Sequence, residues 1–313
     1  MMLRDLRRED GPQFFELMQR GFPEESALLG NRPEEFEKIF RRIFRWDSRL
    51  ILGILKLFGR PIVRALVVEV DGRVVATTLV TFPEGSAYVS NVVVDATHRR
   101  QGYARRMLEE ARRAASRAKR RYIVLDVLES NTGARTLYES LGYRPIRSRS
   151  QFVHDSMTQL ATAPPANPAI RAMHRSDVAP LVAISKRQTP PEVENVLPTR
   201  PERFSQHGIA NRMMASEEAS WVIDRGHGPE AHVAATVSDA FDAAHLTAPT
   251  LAESVDDRLA FELVATAGAW CATRKAHRVL SMVAADNPRG RAALEAVGFQ
   301  HALPLWTLYR PVA

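Results

Sequence analysis

Cysteines, long apolar runs and an apolar start are scarce or absent in this sequence of 313 residues. Its single cysteine, Cys271, rules out an intramolecular disulfide framework and fits a reducing compartment. The most apolar run, residues 50–58, contains Lys56 and is shorter than the roughly 20 residues that span a bilayer. The first ten residues are too charged for a signal peptide. We therefore expect a cytoplasmic protein without stable membrane insertion.

Acidic residues are outnumbered in only one half of the chain. Residues 1–160 contain 28 Lys and Arg against 20 Asp and Glu, whereas residues 161–313 contain 15 against 16. A basic half suits nucleic acid, an anionic lipid surface or a polyanionic cofactor. There is no helix-turn-helix, zinc-finger or RNA-stacking motif, so we expect no nucleic acid partner. The histidines of the second half show no metal-binding spacing, and we expect no metal.

Internal repetition indicates two copies of one unit. Residues 131–143 (NTGARTLYESLGY) align without gaps to residues 287–299 (NPRGRAALEAVGF), and residues 3–10 are echoed by residues 170–177. Between the copies, the small, proline-rich and uncharged run ATAPPANP is typical of a linker. The domains predicted from this repetition are 1–158 and 169–313, joined by a linker at 159–168.

Alternation and helical periodicity predict the elements of the first copy. The predicted strands are near 2–6 and at 63–70, 73–82, 87–95, 121–127, 142–147 and 149–156, and the predicted helices are 10–20, 103–119 and 132–141. Asp71-Gly72 is the turn of a hairpin. The corresponding hairpin of the second copy has strands at 220–224 and 232–238, with a further strand near 245–249.

A glycine-containing loop follows the apolar strand 87–95 and precedes a helix. The loop reads Arg99-Arg100-Gln101-Gly102-Tyr103-Ala104. The first turn of a helix has N–H groups without intrahelical partners and the positive end of the helix dipole, so a pyrophosphate can bind there if the backbone can approach it. Gly102 permits this approach, and the neighbouring arginines add positive charge. Taken alone the pattern is a weak signal, because strand, glycine and helix follow one another in many proteins.

Two further segments make the pattern specific. Arg99-x-x-Gly102-x-Ala104 resembles the Q/R-x-x-G-x-G/A signature of the GNAT acetyltransferase superfamily, with Ala104 as an allowed variant of the last glycine. Asp126-Val-Leu-Glu-Ser-Asn131 and Leu137-Tyr138-Glu139-Ser140-Leu141-Gly142-Tyr143 resemble the family's fifth strand and the helix after it. The resemblance covers nearly all of residues 1–156. It implies an α/β (α+β) fold of two tandem GNAT-like domains, each with a twisted, mixed, mainly antiparallel sheet flanked by helices.

The resemblance also implies a reaction. An acetyl group would move from acetyl-CoA to a primary amine of a small-molecule or peptide acceptor, by direct attack while both are bound. In the family the fourth strand opens at a bulge and its backbone groups face the pantetheine and the acetyl carbonyl. The cofactor-binding residues implied are Val92, Val93, Val94, Arg99, Arg100, Gln101, Gly102, Tyr103, Ala104, Arg105 and Asn131. The side chains of the three valines would only pack, and Asn131 could equally be a helix cap.

Two residues stand at catalytic positions of the family. Tyr138 occupies the place of the usual acid, which protonates the departing thiolate; without the resemblance it would be interpreted as an aromatic side chain packed on the sheet. Asp126 stands where related acetyltransferases often carry a glutamate base. Its shorter side chain would need a water relay, and it could also be a plain polar strand residue. Glu129 and Glu69 are reserve candidates for the base.

The insert 24–58 and the second copy leave alternatives open. Apolar residues at helical spacing and several arginines predict helices in the insert, which would wall the acceptor site, lie on a membrane surface or form a partner or dimer surface. The second copy has Ser254-Val-Asp-Asp257 in place of the glycine loop, which fits a helix cap pair of Ser254 with Asp257. Met282 and Leu294 stand where the first copy has Asp126 and Tyr138. We expect a degenerate second copy without acetyl-CoA turnover, and a monomer or homodimer.

Two other function classes compete with the enzyme. A non-catalytic acyl-CoA sensor or interaction protein would bind the same cofactor without turnover, and the presence of Tyr138 and Asp126 argues against it. A basic nucleic-acid-associated protein would show steeply salt-dependent binding. The acceptor cannot be deduced from the sequence, because one fold serves many acceptors.

Overall fold

The computed structural model describes residues 1–23, 63–162, 166–204, 216–238, 241–274 and 276–313. The predicted helical insert 24–58 lies outside the described residues. The described chain divides into two compact units. The first holds residues 1–23, 63–146 and 306–313, and the second holds the described residues between 147 and 305.

The first unit is a sheet with helices on both faces. Its strands are β1 (Met2–Asp5), β2 (Val63–Val70), β3 (Arg73–Thr81), β4 (Ser86–Val94), β5 (Tyr122–Leu128) and the end of β13 (Gln300–Pro311). They are ordered β1-β2-β3-β4-β5-β13, antiparallel up to β4, whereas β4 and β5 are parallel. Its helices are α1 (Gly11–Gly21), α2 (Tyr103–Arg117) and α3 (Thr132–Ser140).

Alternation of side chains along the strands separates the two faces of this sheet. Leu17 of α1 packs with Val67, Val74 and Val93. On the other face Leu108 of α2 joins a larger cluster that includes side chains from β4, β5 and α3. Buried apolar side chains on both faces fix the register of the strands, since a slip of one residue would exchange the faces.

The second unit has a sheet of the same kind. Its strands are β6 (Arg144–His154, from Arg147 on), β7 (Ile170–Ala172), β8 (Ser216–Asp224), β9 (Pro229–Ser238), β10 (Ala243–Leu246), β11 (Thr250–Leu251) and β12 (Arg278–Ala284). They are ordered β6-β12-β10-β9-β8-β7, with β11 on β9. Its helices are α4 (Met157–Leu160), α5 (Val178–Gln188), α6 (Pro191–Val196), α7 (Asp257–Ala272) and α8 (Pro288–Val297).

The compact units do not follow the domain boundaries predicted from the repetition. Residues 149–154 pair with β12, and Phe152 and Leu160 are buried in the core of the second unit. Residues from Trp306 on belong to the first unit, where Leu308 is buried. Each unit is therefore completed by residues outside its own predicted domain. The boundaries at 158 and 169 stay a prediction about the repeated sequence.

The repetition extends to a buried ion pair. In the first unit Arg4 donates to Asp10 at 2.6 Å and also contacts Glu69 at 2.7 Å. In the second unit Arg171 donates to Asp177 at 2.8 Å and contacts Asp224 at 2.7 Å. In each case the buried aspartate also accepts a backbone N–H three residues earlier, at 2.7 Å. Hydrogen bonds from the arginine help to keep the pKa of both aspartates low although burial opposes this.

Most of the strands and helices predicted for the first copy are confirmed within a few residues. The two strands predicted at 142–147 and 149–156 are wrong, because the chain continues as the single strand β6. The predicted cap pair of Ser254 with Asp257 is also wrong. The helix begins at Asp257, so Asp256 is the cap and accepts the Leu259 N–H at 2.8 Å, while the Ser254 hydroxyl donates to Glu230.

His232 is a buried histidine in the core of the second unit. Only 1% of it is exposed, and its ring packs edge-on against Phe204 with centroids 5.1 Å apart. Within the described part of the chain, neither ring nitrogen has a hydrogen-bond partner. Burial lowers the pKa of His232 to about 4, and the positive charge of Arg203 adds to this. The folded protein therefore holds this ring neutral.

This pKa predicts a loss of stability on acidification. The unfolded chain binds a proton at His232 near the ordinary pKa of about 6.5, whereas the folded chain resists it, so stability falls as the pH drops below that value. We expect His232 to lower the free energy of unfolding by about 2 kcal/mol between pH 7.5 and pH 5. Urea unfolding at both pH values should show a smaller pH dependence for His232→Phe, which keeps the ring contact. An equal pH dependence in wild type and variant would contradict the assignment.

Candidate functional site

An opening between two parallel strands is the central feature of the first unit. β4 and β5 pair from Ser86 with Tyr122 to Val89 with Leu125, and the pairing ends there. Both strands nevertheless continue, β4 to Val94 and β5 to Leu128. The edges of the two strands beyond the last pair therefore face each other without a ladder of hydrogen bonds.

A bulge in β4 accompanies the opening. Between Thr77 and Leu79 on β3 the pairing on β4 advances from Val93 to Ser90, so β4 contains one extra residue. Asn91 lies in this interval and has a φ of 57°, a left-handed conformation that asparagine tolerates better than most residues. Bulges bend a strand and re-aim its backbone groups. The bulge predicted for the fourth strand is therefore present, and Asn91 is its strained residue.

The side chains of the three valines pack into the core. Val93 is buried with Leu17 of α1, and Val92 and Val94 contact the clusters on the opposite face. Apolar packing on both faces leaves only the backbone of this segment to face the opening. This agrees with the expectation that the valines contribute backbone groups and not side chains.

The loop before α2 has the backbone geometry of an anion cradle. Arg100 and Gly102 are both left-handed, with φ of 64° and 79°. A Cβ placed on Gly102 would meet no atom of the described residues within 4 Å, apart from its chain neighbours, so this part of the structure leaves the space beside it open. α2 has no side-chain cap and no acidic residue in its first turn. Within the described part of the chain, nothing accepts the first N–H groups of the helix, and Arg106 N–H is the first to bond, at 3.1 Å to Gly102.

Some side chains of the loop hold it in place by hydrogen bonds, and others are exposed cations. Gln101 accepts the Tyr103 hydroxyl at 2.8 Å, and Tyr103 is itself buried. The Arg99 Nε donates to the Val94 carbonyl at 3.2 Å, which ties the loop to the end of β4. The Arg105 guanidinium donates to the Ser140 hydroxyl of α3 at 2.6 Å, and Arg100 is exposed. The loop is thus held at both ends while its N–H groups stay open, and Ala104 adds little bulk to the first turn.

Tyr138 lies on α3 and its ring is buried against the sheet. It shares a cluster with Val127 of β5 and Val92 of the bulge, which places it beside the opening. No hydrogen bond to its hydroxyl exists within the described residues, and the hydroxyl of the neighbouring Tyr143 is buried there without a partner. Burial raises the pKa of Tyr138 to about 12, so the phenol keeps its proton at neutral pH.

Asn131 is the cap of α3. Its side-chain oxygen accepts the Ala134 N–H at 3.1 Å. The counterpart Asn287 caps α8 in the same way, accepting the Gly290 N–H at 3.0 Å. The helix-cap role, which the sequence offered as the alternative for Asn131, is therefore present, and Asn287 has the same role. The amide NH₂ of Asn131 is left for a ligand.

Asp126 lies on the opposite face of β5 from Tyr138. Its neighbours Leu125 and Val127 point into the cluster that contains Tyr138, so alternation directs Asp126 the other way. One carboxylate oxygen accepts the Tyr88 hydroxyl of β4 at 2.7 Å, and the other accepts the Thr307 hydroxyl of β13 at 2.5 Å. Asp126 is the first residue of β5 beyond the last pair with β4, and it is half-buried.

The two reserve carboxylates differ in their availability. Glu69 accepts the Arg4 Nε at 2.8 Å and belongs to the ion pair cluster of Arg4 and Asp10. Glu129 is exposed beyond the end of β5. The geometry therefore favours Asp126 over Glu69 as the group that meets an acceptor at the opening.

Tyr88, Asn91 and Thr307 belong to the site and were not found from the sequence. In the sequence Tyr88 looks like any aromatic residue of an apolar strand. Its position, counted by alternation along the strand from the bulge, was the one signal that could have pointed to it. Thr307 comes from a strand 181 residues away, and no local signal connects it with Asp126.

The corresponding positions of the second unit lack the same features. Asp256 and Asp257 occupy the N-terminus of α7, and Asp256 already accepts an N–H of its first turn. Leu294 replaces Tyr138 and is fully buried. The described residues bring together no group of three His, Cys, Asp or Glu side chains that could hold a metal. That the protein binds no metal stays a prediction. No helix in the described part is long and apolar enough to cross a bilayer.

Comparisons with known proteins agree with this geometry. The model of the acetyltransferase (GNAT) family matches residues 13–143. A tandem GNAT protein from the clavulanic acid biosynthesis pathway is 16% identical, with a TM-score of 0.67 over 100% of this chain and 98% of that one. A GCN5-related N-acetyltransferase from Sphaerobacter thermophilus is 16% identical, with a TM-score of 0.65 over 99% and 95% of the two chains. A comparison with curated proteins finds no match. The predicted fold class is confirmed, and the family match covers most of the first unit.

Proposed function

We propose that this chain, which has the tandem GNAT fold, is an acetyl-CoA-dependent N-acetyltransferase whose active site is the opening between β4 and β5. The observation that carries the proposal is the conjunction of the uncapped N-terminus of α2, the left-handed Gly102 and the ladder that ends at Val89. The anion cradle and the gap between the strands both lie at the C-terminal ends of β4 and β5, in one sheet. Membership of residues 13–143 in an acetyltransferase family supports acyl transfer as the chemistry.

The loop fits the pyrophosphate of acetyl-CoA. The N–H groups of Tyr103, Ala104 and Arg105 have no partner within the described residues, and a phosphate at a helix N-terminus gains from these N–H groups and from the dipole. Arg99 and Arg100 add charge, and Gly102 leaves the space open. Acetyl-CoA supplies the activated acetyl thioester, and the backbone of Val92–Val94 lines the opening where it would be held.

Tyr138 and Asp126 divide the proton transfers between the two faces of the opening. The Tyr138 phenol, protonated at neutral pH, donates its proton to the departing thiolate. On the other face the Asp126 carboxylate accepts the proton of the acceptor ammonium, directly or through one water. The bonds from Tyr88 and Thr307 orient this carboxylate just beyond the last pair of β4 with β5. In the ternary complex the amine nitrogen bonds to the acetyl carbon and the carbon–sulfur bond breaks. The second proton that the nitrogen loses replaces the one that Tyr138 gives to the sulfur.

Release of free thiol from acetyl-CoA in the presence of a library of primary amines tests the proposal. We expect release with at least one amine and none with the protein alone beyond slow hydrolysis. Binding of acetyl-CoA without release for any amine would favour the alternative of an acyl-CoA-binding sensor or interaction protein. No binding at all would overturn both.

Asp126→Asn tests the base. We expect the variant to lose about tenfold in kcat/KM near neutral pH and to recover as the pH rises, because the free amine then forms without assistance. The pH–rate profile measures this. Thr307→Val removes one orienting hydrogen bond and keeps the carboxylate, so its rate should fall less than that of Asp126→Asn and the shape of its pH profile should follow the wild type. A loss in Asp126→Asn that is equal at every pH would show a structural role instead.

The second unit, in this proposal, does not turn over acetyl-CoA. Asp256 and Asp257 place negative charge where the phosphates would bind, and Met282 and Leu294 cannot exchange protons. Cytoplasmic location and a monomeric or homodimeric state remain predictions.

A further inference from the structure

A cavity of about 510 Å³ opens in the second unit. All of its walls belong to that unit: β6, the segment from α5 to Arg203, the end of β10 and the end of β12. The volume lies within the range of small-molecule sites. Met282, the counterpart of Asp126, lines it, so it lies where the second sheet opens after β10.

Guanidinium groups dominate the charge of this cavity. Arg147 and Arg149 come from β6, and Arg200 and Arg203 come from the segment after α6. The acidic residues that line it are Glu202 and Asp286. Four positive charges against two give an excess of two in a unit whose sequence is otherwise close to neutral. A concave surface with one sign of charge concentrates the field toward a ligand of the opposite sign.

The arginines are close enough to repel one another. Arg203 keeps contact with solvent through the cavity, but the surrounding protein desolvates it, and the charges of Arg147 and Arg149 add to this, so its pKa is lowered. Among the described residues, its guanidinium donates to the Ser185 hydroxyl, a neutral group, at 3.2 Å. The described residues thus provide Arg203 with a neutral hydrogen-bond acceptor and with no hydrogen-bonded carboxylate.

The carboxylates near the cavity already have partners of their own. Asp286 pairs with Arg147, whose Nε is buried without a partner in the described part of the chain. Glu194 accepts the backbone N–H and the hydroxyl of Thr199 at 2.9 and 2.8 Å. Arg200 makes no hydrogen bond or ion pair through its side chain within the described residues. Among the described residues, the guanidinium groups of Arg200 and Arg203 are therefore the donors of this cavity without a carboxylate partner.

We propose that this cavity is a binding site for a small organic anion, a molecule whose carboxylate or phosphate groups are held by Arg200 and Arg203 with support from Arg147 and Arg149. Guanidinium forks match the geometry of both groups. The inference goes beyond the proposed function: it assigns the second unit a ligand of its own. Acetyl-CoA does not fit this description, because its phosphate cradle would have to be the N-terminus of α7, which Asp256 caps.

Thermal unfolding and calorimetry with inorganic phosphate and with succinate test the site. Both titrations are run at constant ionic strength against chloride. We expect at least one anion to raise the Tm of the wild-type protein, and the double variant Arg200→Gln/Arg203→Gln to lose about tenfold or more in affinity for it. A response to phosphate alone, to succinate alone or to both supports the site and identifies the group it prefers.

Arg175→Gln is the matched control, because Arg175 is an exposed arginine of the same unit that does not line the cavity. It should bind the anion as the wild type does. Without anion, the double variant should unfold at the same or a higher temperature, because like charges have been removed. The proposal is overturned if neither anion exceeds the chloride control, or if the double variant responds as the wild type does. It is also overturned if the double variant is destabilised without anion and Arg175→Gln loses as much affinity for the anion as the double variant does.

Discussion

Tyr138→Phe is expected to lower the turnover of acetyl transfer by about a hundredfold or more, with little change in the affinity for acetyl-CoA. General acid catalysis contributes about 10²–10⁴-fold, and the substitution removes only the hydroxyl. The ring keeps its place among Val92, Val127 and Tyr143, so the fold and the cofactor loop should be unchanged. Single-turnover rates and calorimetric titration of acetyl-CoA measure the two quantities separately.

The buried environment of Tyr138 suits a general acid that keeps its proton until the thiolate departs. Burial raises its pKa to about 12, so at any pH below that value the hydroxyl carries its proton. It gives that proton up only as negative charge develops on the departing sulfur, so the transfer accompanies the breaking of the carbon–sulfur bond. The activity of the wild type should therefore show no fall due to Tyr138 up to about pH 10, and any fall on the acidic side should come from the other groups.

Tyr143→Phe is the control that the structure provides. Tyr143 is a tyrosine on the same cluster, with its ring centroid 5.8 Å from that of Tyr138, but its hydroxyl is buried without a partner in the described part of the chain. Removing that hydroxyl should leave turnover unchanged and should not destabilise the protein, since an unsatisfied buried group costs free energy. Equal losses in both variants would indicate that packing, and not the Tyr138 proton, controls the rate.

Much of the first unit could be predicted because its signals are local. The strand that contains Val93, the turn at Gly102 and the helix with Tyr138 each follow from a few neighbouring residues, and their order is that of a known family. The bulge was expected from the resemblance, but its strained residue, Asn91, was not, because one extra residue in a strand leaves no mark on the apolar pattern. The cap made by Asn131 was available as an alternative from the first.

The rest could not be predicted because it depends on contacts between distant residues. β6 had to be interpreted from its own sequence, whereas its partner is β12, more than a hundred residues later in the chain. The same holds for Thr307, which reaches Asp126 from the last strand. The cavity of the second unit is a further case: its arginines are spread over two segments, and the charge count of the second half, which is near neutral, conceals their convergence.

Gly102→Glu is expected to lower the affinity for acetyl-CoA by at least about a hundredfold while the protein remains folded. Two physical effects act together on binding. The new side chain fills the open space beside the loop, and its carboxylate brings negative charge to the N–H groups of α2 that would receive the pyrophosphate. The effect on stability is separate: a residue other than glycine at a φ of 79° costs about 1–2 kcal/mol, and the new Cβ clashes with no atom of the part of the chain that the structure describes.

Two variants at the same position separate the causes of this loss. Gly102→Ala introduces the backbone strain with little bulk and no charge, so it should bind acetyl-CoA several-fold more weakly at most. Gly102→Gln has the shape of the glutamate without its charge, and the ratio of its Kd to that of Gly102→Glu measures the electrostatic part. That ratio should shrink as salt is added, because screening weakens exposed charges. If Gly102→Glu binds acetyl-CoA as the wild type does, the phosphates do not lie at α2, and the cradle formed by Arg99–Ala104 is not the cofactor site.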